Sequence, residues 1–78
     1  MMNGEDAIRL RALRHMRYRR DAIVRIDDLM QAAGMSETTA QRFVSWALSE
    51  GYIVQTTIDP VGWAITSKGD GLVIRNEG

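Results

Sequence analysis

The chain has no cysteine, which leaves it neither a disulfide framework nor a thiolate metal site. No apolar run reaches the roughly 18 residues that a membrane-spanning helix needs. The opening MMNGEDAIRLR lacks the apolar stretch of a secretory signal. A cytoplasmic protein that stays out of membranes is the expectation. His15 is the single histidine, and no nucleophile or ligand partner stands at a useful spacing from it, so a structural place outweighs catalysis. Asp27 and Asp28 are explained by helix capping, with no further ligand pattern to make a metal site. KGDG, at 68–71, lacks the length and spacing of a phosphate-binding loop. No constellation of acid, base and nucleophile is visible. The chain is therefore not expected to be an enzyme, and no cofactor or metal is expected.

What is present fits one small folded unit. Its 78 residues contain no repeat and no low-complexity tract, so a single domain over 1–78 is expected, with 1–5 and 76–78 as disordered ends. Net charge is zero, which speaks against strong sequence-independent binding to nucleic acid. The charge is nevertheless uneven. Residues 1–25 hold seven arginines against Glu5, Asp6 and Asp21, whereas 26–78 hold Arg42, Lys68 and Arg75 against seven carboxylates. Such asymmetry suggests a basic face meeting a polyanion or an acidic protein.

GEDAIRLRALRHMRYRR predicts a first helix, with carboxylates at its positive end and arginines toward its negative end. Ile8, Ala12, Leu13 and Met16 make its apolar stripe. Arg11, Arg14, Arg17 and Tyr18 fall on the other side, and Arg9 and Arg19 flank the stripe. The β-branched run AIVRI suits a short strand. DDLMQAAG predicts a short helix with Asp27 as N-cap and Gly34 as its stop. Ser36 then caps another helix, whose Ala40, Phe43, Val44, Ala47 and Leu48 recur on a core-facing side. Thr38, Thr39, Gln41, Arg42 and Ser45 are left facing outward, with Trp46 at the edge. After Gly51 the period changes to two: YIVQTTI and WAIT read as paired strands around the turn DPVG, where Gly62 is free to take positive φ. TSKGDGLVI stays open between a helix capped by Thr66 and a glycine turn into a third strand.

This order of elements resembles the winged helix-turn-helix superfamily of DNA-binding domains, from about Ile8 to Ile74. The likeness is carried most by IDDLMQAAGMSETTAQRFVSWALSEGYI, and secondarily by WAITSKG at the end of the presumed wing. The resemblance implies an α+β fold of three helices, a short strand and a C-terminal β-hairpin wing. It also implies that helix 36–50 enters the major groove of double-stranded DNA. Ser36, Thr38, Thr39, Gln41, Arg42 and Ser45 are then the DNA-contacting residues: Arg pairs with guanine, Gln with adenine, and Thr with phosphate or the thymine methyl. Arg11, Arg14, Arg17, Gly62 and Trp63 are candidates for backbone or partner contact.

Two classes of function follow. One is a sequence-specific transcriptional regulator, acting as a homodimer on a two-fold site because one such domain offers little contact area. Free-standing domains of this size suggest a phage or other mobile element. The other is a winged-helix adaptor or inhibitor that binds a protein through its arginine-rich helix or its tryptophan-bearing face. The neutral net charge and the acidic wing, whose lone charge is Asp59, favour the second. The Ser-capped polar face favours the first.

Overall fold

A computed structural model describes residues 4–19 and 23–77. Residues 1–3 and 78, from the expected disordered ends, and Arg20–Ala22, which include the first residue of the expected strand, lie outside the described residues. The elements run α1 (Gly4–Tyr18), α2 (Ile26–Ala33), α3 (Glu37–Glu50), β1 (Ile53–Ile58), β2 (Val61–Ile65) and α4 (Ser67–Glu77). The fold is thus a small α+β arrangement, with four helices and a two-stranded antiparallel hairpin among the described residues.

One apolar cluster holds these elements together. Ala12, Leu13 and Met16 of α1 meet Leu29 and Ala33 of α2, Ala40, Phe43 and Ala47 of α3, Ile53 of β1 and Val73 of α4. α1 packs on both α2 and α4, while α3 packs chiefly on α2 and β1. Small residues on the inward faces allow this approach, since Ala12, Ala40 and Ala47 are fully buried and leave backbones close together.

Both ends of α3 are fixed locally. Ser36 accepts a hydrogen bond from the Thr39 N–H at 3.2 Å, the N-cap its sequence predicts. At the other end Gly51 turns left-handed, with φ 78°, and the Tyr52 N–H reaches the Ala47 carbonyl at 2.8 Å. Gly34 ends α2 in the same way, with φ 66°. Only Met35 and Ser36 then separate Gly34 from the first residue of α3.

Several expectations are corrected. α2 begins at Ile26, so Asp27 is not its N-cap; instead the Asp28 carboxylate accepts from the Arg25 N–H at 3.0 Å, half of a capping box. That earlier start leaves little of AIVRI for a strand. Among its described residues only Val24 pairs, exchanging two 2.9 Å hydrogen bonds with Trp63 of β2. Leu48 is exposed, because Ala47 supplies the inward contact at that end of α3 and Trp46 packs against Tyr52. The hairpin turns at Asp59–Pro60, so β2 starts at Val61, two residues before the expected WAIT strand. Gly62 is not a turn residue: it is buried in β2, where an added Cβ would fall 2.9 Å from Thr57 Oγ1 and closer still to Ile23.

The open segment TSKGDGLVI resolves as the helix. Thr66 accepts from the Gly69 N–H at 3.2 Å and donates to the Gly51 carbonyl at 2.7 Å. One hydroxyl therefore caps α4 and ties its start to the end of α3. Asn76 and Glu77, expected in a disordered end, form the last turn of α4.

Candidate nucleic-acid interface

The outer face of α3 carries most of the sequence-predicted contact residues. Taking 100° per residue, Thr38, Gln41, Arg42 and Ser45 fall within about 100° of arc and span about 10 Å along the axis. All four are exposed. The opposite face, Ala40, Phe43, Val44 and Ala47, is buried in the core. That burial sets the rotation of the helix, and so which side chains point out. Ser49 lies on the same arc and is exposed, a position that sequence reasoning passed over although its period-of-seven spacing from Arg42 was readable.

Two of the predicted contacts have other work. The Ser36 hydroxyl donates to Thr39 Oγ1 at 3.0 Å and accepts the Thr39 N–H, and Thr39 is half-buried. These two side chains build the start of the helix. Gln41 leans on Glu37, its Nε2 donating to Oε1 at a long 3.4 Å. Arg42 stands exposed as the one basic side chain of α3.

The arginine row of α1 is arranged differently. Arg11 is exposed. Arg14 Nε reaches Glu77 Oε1 at 3.1 Å, and Arg17 reaches Glu77 Oε2 and Asp70 Oδ1, each at 3.8 Å. The carboxylates both belong to α4, the helix that the sequence left undecided. Arg9 also turns inward, its guanidinium 4.6 Å from the centre of the Trp46 ring, while it pairs with Asp6 at 3.6 Å. Lys68 behaves likewise, lying over Tyr52 and donating to the Glu50 carbonyl at 2.6 Å.

The structure places Gly62 and Trp63 inside the fold; Trp63 is only 6% exposed. The hairpin presents Val54, Ile58 and Val61 instead, with Ile58 the most open at 84%. Trp46, tilted against Phe43 and Tyr52, lines a cleft of about 190 Å³ with Arg9, Leu10 and Leu72. His15 is half-buried on α1. Among the described residues no helix is long and apolar enough to cross a membrane.

No protein-family model matches the chain, and no curated protein sequence matches it.

Proposed function

We propose that the chain is a small sequence-specific DNA-binding regulator of the winged helix-turn-helix kind, which inserts the outer face of α3 into the major groove. One observation carries this reading. A helix capped at both ends and fully buried on its inner face leaves Thr38, Gln41, Arg42 and Ser45 exposed together on the outer one. Groups able to read base edges are thereby held on a rigid element. The short connection from α2 supports the same reading, as does the hairpin that follows. A single copy presents one such helix, so two copies on a two-fold site are the expected active form.

The test is binding to duplexes selected from a random pool, followed over a range of salt. Arg42→Ala should weaken a selected site by about 1–3 kcal/mol and random duplex by less. Equal loss on both would assign Arg42 to phosphate instead of a base. No binding to any duplex at low salt would remove the reading.

A second reading, an adaptor that binds a protein, is favoured by the cleft beside Trp46. Its lining of Trp46, Tyr52 and Arg9 is of the types that dominate protein interfaces. Trp46→Ala would then abolish partner capture, with duplex binding absent throughout.

A further inference from the structure

We infer that Glu77, in the last turn of α4, is an intramolecular strap over a phosphate-binding pair, Arg14 and Arg17, and holds that pair closed to polyanions. The inference goes beyond the major-groove reading, and it rests on that reading only for DNA as the polyanion.

The carboxylate of Glu77 engages both arginines, Oε1 on Arg14 Nε at 3.1 Å and Oε2 on Arg17 Nη1 at 3.8 Å. A guanidinium offers the same planar donors to carboxylate and to phosphate, so Glu77 occupies the groups that a phosphate would use. The two carboxylates at this seam differ in kind. Asp70, two turns earlier on the same side of α4, is only 8% exposed and belongs to the packed seam between α1 and α4. Glu77 is exposed and sits at the C-terminal end of its helix, where the helix dipole disfavours a negative charge. A terminal turn frays readily, and ion pairs with this much solvent access are weak. The contact is therefore weak enough for one substitution to open it, while it competes with phosphate for both guanidiniums. Arg11, one turn before Arg14 on α1 and exposed, extends the surface that opens.

By engaging Arg14 and Arg17, the α4 carboxylates Glu77 and Asp70 lower the sequence-independent attraction of α1 to phosphate. Selective binding then depends more on the base-reading face of α3.

The test uses the full chain carrying Glu77→Gln, with random-sequence duplex DNA and inorganic polyphosphate as probes. Thermal unfolding followed by circular dichroism checks that the variant is folded. The expected result is a rise in affinity of about three- to tenfold for at least one probe at low salt. For DNA, the plot of log K against log salt should steepen by about one to two, the effect of one or two added phosphate contacts. The gain must disappear when Glu77→Gln is made on top of Arg14→Gln and Arg17→Gln, because the strap then has nothing to release. A gain on polyphosphate with no DNA bound by either form would keep the strap and remove the DNA reading. Unchanged affinity for both probes would overturn the strap. So would an equal gain in the arginine-free background, since that reports only the change in net charge.

Discussion

The outer faces of α1 and α3 carry opposite mixtures of charge and availability. α1 has four arginines, but Arg9 is turned onto Trp46 while Arg14 and Arg17 are turned onto the carboxylates of α4. α3 has Arg42 alone, and it stands in solvent beside Thr38, Gln41 and Ser45. The cause is packing order. α1 is flanked by α2 and α4, so much of its polar side faces another helix, whereas α3 packs on α2 and β1 and leaves its outer side uncovered. Charge counted along a chain thus overstates the basic surface where a neighbouring helix supplies the counter-charge. What a partner meets is the residue left over after internal pairing.

The largest expected effect comes from undocking α4, which should turn the first face into something like the second. A Cβ at Gly69 would collide with the Tyr52 carbonyl oxygen and fall 2.7 Å from Ile65 Cγ1. That carbonyl cannot swing away, because it accepts the Thr66 N–H at 2.9 Å. Gly69→Ala should therefore destabilise the fold by about 1–3 kcal/mol, even though alanine is the better helix former by about 1 kcal/mol. Denaturant unfolding measures the loss, and binding to polyphosphate in the folded range should rise as Arg14 and Arg17 are released. A more stable variant would show that α4 does not sit this close to the end of α3.

Gly69 also shows why α4 was hard to read from sequence. Two glycines within five residues lower helix propensity, and propensity was the available guide. Here Gly69 serves a close approach to the Tyr52 backbone, a tertiary requirement invisible to local pattern. α1, α2 and α3 were legible because their signals are local: an apolar stripe, Ser36 as cap, Gly34 and Gly51 as stops. The short strand was over-read for the opposite reason. AIVRI has β-branched character, but Ile26 already starts α2, leaving one paired residue, Val24, among those described. The exposed stripe of α3 followed directly from its period. The engagement of Arg14 and Arg17 could not be read, since it depends on a helix some 60 residues further along the chain.

A smaller effect tests how firmly the α3 face is presented. Ser36→Ala removes the acceptor for the Thr39 N–H and the hydroxyl that holds the Thr39 side chain. The expected cost is about 1 kcal/mol, the usual value of an N-cap. It should also weaken duplex binding, because Thr38 lies in the turn that loses its anchor. Full retention of stability would mean that another group or solvent serves this helix start equally well, and that Ser36 is free to contact a partner.

The smallest effect is the most direct comparison of the two faces. Arg14 is 44% exposed in its pair with Glu77, so Arg14→Gln should cost no more than about 1 kcal/mol at low salt. The cost should fade toward 1 M salt, where the screening length shrinks to about 3 Å. Arg42→Gln, with no ion pair among the described residues to lose, should leave stability within about 0.5 kcal/mol at any salt. Thermal unfolding of the two variants at low and high salt gives both differences from one set of melts. If Arg42→Gln destabilises as much as Arg14→Gln, and with the same salt dependence, the α3 face is internally engaged after all. In duplex binding the order of the two variants should reverse at a selected site. Arg42→Gln removes a base contact there, while Arg14→Gln removes a group that Glu77 already holds. An arginine that matters to the fold and little to DNA, beside one that matters to DNA and not to the fold, is the pattern this division of surfaces requires.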